Sequence, residues 1–128
     1  MPLVRIDIPD HLDVGLESRI GDLVYVAILE CLKVPADDKF QILSRHSAEQ
    51  IVKPQSYLGI EYTDELLVIQ ITLNEGRKTD VKKSFYAKVA DLLSGELNLR
   101  RENLLISLVE VNKENWSFGN GEMQYGPG

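Results

Sequence analysis

The sequence predicts a two-layer α+β fold in which two β-α-β units supply a four-stranded sheet with both helices on one face. Three observations lead there. Apolar residues alternate, then recur at helical spacing, then alternate again, in the order strand, helix, strand. The same order returns after about 64 residues, so the chain reads as two similar halves, about 1–64 and 65–128. Parallel strands joined by a helix cross over right-handedly, which sends both helices to the same side of the sheet. At 128 residues, of which 44% are apolar, the chain fits a single domain spanning 1–128.

Each element has its own local reason. Leu3-Val4-Arg5-Ile6-Asp7-Ile8 alternates like a half-buried strand. Asp13 is the expected cap of the first helix, which aligns Leu16, Ile20, Leu23, Val24, Ala27 and Cys31 on one face. Val34-Pro35 stops that helix, and Lys39-Phe40-Gln41-Ile42-Leu43 reads as the second strand. Ser44 to Asp64, with Pro54 and Gly59, reads as a polar connector. Leu66 to Leu73 is apolar enough to be a central strand. Thr79 or Asp80 opens a second helix carrying Val81, Phe85, Val89 and Leu92, with Gly95 near its end. Leu104 to Val109 closes the second unit. In this frame Pro2 matches Leu66. The second face of the sheet has no helix to cover it, which predicts association through the sheets. Asn112 to Gly128 lacks a regular pattern but holds Trp116, Phe118 and Tyr125, too aromatic for a frayed end. It is expected to pack on the core, a neighbouring subunit or a ligand.

Composition excludes several functions. A net charge of −6, with scattered basic residues, argues against nucleic-acid binding. The longest apolar stretch is too short to span a bilayer, and Arg5, Asp7 and Asp10 interrupt any signal-peptide core. The single cysteine, Cys31, permits no internal disulfide and fits a reducing compartment, so a cytoplasmic location is expected. Cys31 lies on the apolar helix stripe, as an inert thiol would. His11 and His46 lack metal-ligand spacing, and no metal site is expected. Phosphate-cradling loops, nucleophile elbows and dinucleotide fingerprints are absent from the sequence.

Pro2 offers a candidate base, although position alone favours a structural role for it. Removal of Met1, favoured by a small second residue, would leave a secondary amine at the head of a strand. An α-amino group titrates at about pH 8, close enough to neutrality for modest burial or a nearby cation to make it a working base. The structural alternative is a proline tolerated at a strand's first residue.

Met1-Pro2-Leu3-Val4-Arg5-Ile6-Asp7, Val34-Pro35-Ala36-Asp37-Asp38-Lys39-Phe40-Gln41, Gly76-Arg77 and Asn115-Trp116-Ser117-Phe118-Gly119-Asn120-Gly121 together resemble the tautomerase superfamily. The likeness runs nearly end to end and is nearest to the branch around malonate semialdehyde decarboxylase and related tautomerases. It implies a duplicated β-α-β fold with a mixed sheet, assembled as a homotrimer, and cofactor-free chemistry on a small carboxylate substrate. It implies further that Pro2 is catalytic, that Arg77 holds the substrate carboxylate, that Asp38 acts beside the proline in decarboxylases, and that Trp116 and Phe118 wall the site. His46 is a weaker lining candidate. Many decarboxylase-like members have Arg-Pro-Arg where this chain has Glu75-Gly76-Arg77, which weighs against decarboxylation. The implied activity is keto–enol tautomerisation of small 2-oxo acids or their enols, with neutral Pro2 as general base. The alternative is a decarboxylase or hydratase using protonated Pro2 with Asp38. A binding module with an unused proline is the non-enzymatic alternative. Simpler roles stay open for the same residues: Arg77 paired with Asp80 on the surface, Asp37-Asp38 as a turn, and Trp116 and Phe118 as core or interface anchors.

Overall fold

The computed structural model describes residues 2–126; Met1, and with it the expected processing, lies outside the described residues. Strand β1 (Leu3–Pro9) leads to helix α1 (Leu16–Ala27), which widens into a π-helical turn at Ile28–Leu32 before strand β2 (Phe40–His46). A small hairpin of β3 (Ser56–Tyr57) and β4 (Ile60–Glu61) follows. Strand β5 (Leu67–Asn74), helix α2 (Thr79–Leu97) and strand β6 (Leu104–Val111) form the second unit. The sheet order is β2-β1-β5-β6, parallel within each unit and antiparallel where β1 meets β5. The sheet is therefore mixed, with four strands and two helices, as the sequence predicts.

Strand alternation sorts the two faces. Val4, Ile6 and Ile8 of β1 and Leu67, Ile69, Ile71 and Leu73 of β5 are buried beneath the helices. They meet Ile20, Val24, Ala27 and Ile28 from the first unit and Phe85, Val89 and Leu93 from α2. The other face carries Leu3, Arg5 and Asp7 beside Phe40, Ile42 and Ser44 on one flank. On the other flank stand Val68, Gln70 and Thr72, then Leu105, Ser107 and Val109. Phe40 is 48% exposed and Ile42 41%, so this face presents apolar side chains to solvent in the single chain.

The halves match at a shift of 65 residues, one more than the sequence reading. A shift of 64 would pair Leu3 with Leu67, which lie on opposite faces, because one residue's slip turns every strand side chain over. At 65, Val4, Ile6 and Ile8 answer Ile69, Ile71 and Leu73, and Ile20, Val24 and Ile28 answer Phe85, Val89 and Leu93. The left-handed residues that end the two helices, Lys33 (φ 56°) and Asn98 (φ 57°), match as well. Pro2 therefore corresponds to Leu67 and not to Leu66.

Two local expectations also change. The N-terminal cap of α1 is Gly15, in the left-handed region at φ 84°, and not Asp13. Asp13 acts through its carbonyl, which accepts from Leu16 N–H and Arg45. The polar connector is partly ordered: β2 runs on to His46, and Ser47 and Gln50 form a reciprocal capping box around a single 3₁₀ turn. Gly95 does lie near the end of α2, as expected; the helix ends at Leu97, where left-handed Asn98 turns the chain. No helix among the described residues is long and apolar enough to cross a membrane.

Candidate active site

The start of β1, the start of β2 and the segment after β6 converge at one end of the sheet. Leu3 stands opposite Phe40, so Pro2 sits at the mouth of the β1–β2 pair. The chain leaving β6 makes a 3₁₀ turn at Lys113–Asn115 and returns Trp116, Ser117 and Phe118 to this end. Pro2, Leu3, Phe40, Trp116, Ser117 and Phe118 line a cleft of about 240 Å³. Pro2 itself is buried.

The aromatic wall is held from both sides. The Trp116 ring stacks on Phe118 at 5.4 Å and 14°, and Tyr125 meets Phe118 edge-on at 4.9 Å. Trp116 Nε1 donates to Asn74 Oδ1 at 2.8 Å, so the indole's polar edge is satisfied at the end of β5. Gln124 ties the returning chain into a loop: it accepts from Phe118 N–H at 2.9 Å and donates to Gly119 O at 3.0 Å. The expected packing of this aromatic segment on the body of the protein is observed.

Arg77 lies in the loop between β5 and α2 and is half-buried. Its Nη1 donates to Asn74 O at 3.1 Å, while Nη2 and Nε donate to Leu32 O at 3.0 and 3.4 Å. Leu32 ends the π-helical turn, where a carbonyl has no helical donor left to receive. The surface pair with Asp80 is not formed, since Asp80 Oδ1 instead accepts from Val81 N–H at the start of α2. Three of the five guanidinium donors are engaged, leaving one N–H on each terminal nitrogen. Asn74 joins the two groups, receiving Trp116 on its side chain and Arg77 on its carbonyl.

Asp38 sits apart from the cleft lining. It is half-buried in the turn before β2, with its N–H on Pro35 O at 3.1 Å. By the 65-residue shift it answers Asn103, whose side chain accepts Thr63 N–H at 3.0 Å in the segment leading into β5. His46 is at the far end of β2, six residues and about 20 Å from Phe40, with Nε2 at 2.6 Å from Asp7 Oδ1. Cys31 is half-buried against the core, its Sγ near Ser84 O.

The structure therefore brings Pro2, Trp116 and Phe118 into one cleft, links Arg77 to it through Asn74, and leaves Asp38 outside its lining. Phe40, Asn74 and the Leu32 carbonyl are the contributors that sequence reading missed. Asn74, a polar residue closing an apolar strand just before Glu75-Gly76-Arg77, is the one that carried a visible signal.

The family model described as tautomerase enzyme matches residues 38–119. The probable tautomerase YusQ of Bacillus subtilis (strain 168) is 33% identical over 124 residues, covering 97% of this chain and 98% of its own. Among solved structures, FG41 malonate semialdehyde decarboxylase inhibited by 3-bromopropiolate superposes with a TM-score of 0.88 at 29% identity, over 96% of this chain and 93% of that one. A fused 4-OT wild type, a symmetric trimer, shares the fold with a TM-score of 0.76 at 15% identity, over 94% of each chain. The chain belongs to the tautomerase family.

Proposed function

We propose that this protein is a cofactor-free keto–enol tautomerase acting on small 2-oxo acids or their enols. Pro2, freed by removal of Met1, is the general base. The observation that carries this reading is the cleft itself: Pro2 is lined by Leu3, Phe40, Trp116 and Phe118, with no acid among the lining residues. Burial in apolar surroundings and the guanidinium linked to the cleft through Asn74 both disfavour an ammonium, so the amine is held neutral, below the ordinary α-amino value of about 8.

The chemistry follows as a proton relay. The Pro2 lone pair takes the enol hydroxyl proton, and the O–H electrons close the carbonyl. The electrons of the carbon–carbon double bond then take the proton back from the ammonium at C3, leaving the 2-oxo acid and neutral proline. The two free N–H groups of Arg77 bind the substrate carboxylate as a fork, the geometry that distinguishes arginine from lysine. Trp116 and Phe118 pack on the flat conjugated face and keep water from the proton in transit. The exposed apolar sheet face and the trimeric fused 4-OT neighbour support a homotrimer, built by burying that face.

The similarity to a malonate semialdehyde decarboxylase supports a second reading. There, protonated Pro2 is the acid or electrophile and Asp38, in the turn before β2, stabilises it. The single cation of Glu75-Gly76-Arg77 favours the tautomerase. Comparing processed protein with a form extended before Pro2, on the enol of phenylpyruvate, tests the proposal. The extension makes the nitrogen an amide without a usable lone pair, so it should fold and be inactive. Equal turnover by both forms would move the chemistry off Pro2.

A further inference from the structure

Helix α1 braces the turn before β2 at three points. The Tyr25 hydroxyl donates to Ala36 O, where the turn begins. Lys39, where it ends, places Nζ 2.8 Å from Asp22 Oδ1 and 5.2 Å over the Tyr25 ring. One strand residue further on, Gln41 Nε2 donates to Gly21 O at 2.8 Å, and a Cβ on Gly21 would stand 2.5 Å from Gln41 Oε1. The braced turn also carries Asp38, whose N–H closes it on Pro35 O at 3.1 Å. Phe40 lies between the two anchored residues, Lys39 and Gln41, and lines the cleft with Pro2 and Trp116.

The second half has no such brace. At the 65-residue shift Gly21, Asp22 and Tyr25 become Tyr86, Ala87 and Ala90, while Ala36, Lys39 and Gln41 become Arg101, Leu104 and Ile106. These counterparts line an open hollow of about 400 Å³ between α2 and the start of β6. Arg101 reaches Asp91 and Ser94 on α2 instead. The same β-α-β unit thus forms with the brace or with a hollow in its place, so the fold does not require it. The brace stands in the half that begins with Pro2.

We infer that Tyr25 is a positioning residue for Phe40, acting through the turn before β2. This rests on the Pro2 cleft as the substrate site. Side chains alternate along a strand, so fixing Gln41 against α1 directs Phe40 to the opposite face. Phe40 is 48% exposed, so its own packing holds it only in part and the backbone on either side decides where the ring stands. Without the Tyr25 hydroxyl the turn loses its tie at Ala36, and one wall of the cleft is no longer held for a flat substrate.

Trp116 is the chain's single tryptophan and lies in the cleft, so its fluorescence reports binding without turnover. The probes are 3-phenylpropionate, whose ring meets the aromatic walls, and propionate, which has no ring. Tyr25→Phe keeps the ring under Lys39 and removes only the hydroxyl. It should weaken 3-phenylpropionate by about three- to tenfold, the scale of one hydrogen bond, and leave propionate unchanged. Asp22→Ala, which breaks the pair with Lys39, should act in the same direction. Phe40→Ala should show the same selective loss in larger measure, and adding Tyr25→Phe to it should cost nothing more. Arg101→Ala cuts the second half's own tie between its turn and α2, so it should lower Tm and leave both probes unchanged. Unchanged 3-phenylpropionate binding by Tyr25→Phe, equal weakening of both probes, or an equal loss from Arg101→Ala would each overturn the inference. Native protein that binds 3-phenylpropionate but does not turn over phenylpyruvate enol would sink the tautomerase proposal and leave this inference to the binding data. Native protein that binds neither acid would remove the cleft as a carboxylate site and the inference with it.

Discussion

Replacing Arg77 with alanine separates a structural role from a binding one. The side chain gives three hydrogen bonds to two backbone carbonyls, Leu32 O and Asn74 O. Leu32 is buried but Arg77 and Asn74 are half-exposed, so water replaces part of what is lost and the cost to stability should be about 1–2 kcal/mol. A chain of this length has an unfolding entropy of roughly 0.27 kcal/mol per degree, which makes that a fall of about 4–7 °C in Tm. Loss of a partly desolvated carboxylate clamp is larger, about 2–4 kcal/mol. On the ketonisation of phenylpyruvate enol, kcat/KM should therefore fall by about 30- to 1,000-fold. The assay is followed in ultraviolet absorbance at a temperature well below both melting points. Arg77→Lys keeps the charge and loses the fork, so it should lie between the two. A folded Arg77→Ala protein whose kcat/KM stays within about twofold of native on every acid tested would refute the clamp.

Three other outcomes follow from the same geometry. Gly76→Ala adds a methyl group with nothing within 4 Å to strike, so its cost is backbone strain at φ 122° alone, about 1–3 kcal/mol by thermal melting, with weaker carboxylate binding; a melting point equal to native would contradict it. Ile42→Glu, in the middle of the exposed sheet face, should leave the fold intact by circular dichroism and yield monomers in light scattering; a trimer unchanged by this substitution would place the interface elsewhere. Because the Glu110 carboxyl is held below its ordinary value, its stabilisation is present above about pH 4.3 and lost as pH falls through the lowered value. Glu110→Gln should thus lower Tm near neutrality and match native protein in strong acid, whereas an equal deficit at both ends would show that the charge is not responsible.

The fold was legible because its signals are periodic. Two runs of alternating residues, two apolar helix stripes and a break at Val34-Pro35 are each local, and each survives in the structure. The shift between halves was misread by one residue because letter similarity ignores which face a side chain takes. Burial at Val4, Ile6 and Ile8 against Ile69, Ile71 and Leu73 corrects it. Asp13 looked like a cap, but Gly15 can adopt φ 84° without strain and the helix begins there. At the cleft, Pro2, Trp116 and Phe118 were recognisable as residue types in a familiar order. The Leu32 carbonyl was not, since it becomes an acceptor only through the π-helical turn that frees it. Phe40 was read as an ordinary strand residue because its partner Leu3 lies 37 positions away in parallel register.

The charge on Pro2 at working pH divides the tautomerase from the decarboxylase. An NMR titration of processed protein carrying nitrogen-labelled proline measures it directly. A general base must be neutral, so the amine should titrate below the ordinary value of about 8, and ketonisation should rise with pH through the same midpoint and then level off. An amine that stays protonated well above neutrality, with decarboxylation falling as it finally titrates, would contradict the tautomerase reading and favour Asp38 as the partner of a cationic Pro2.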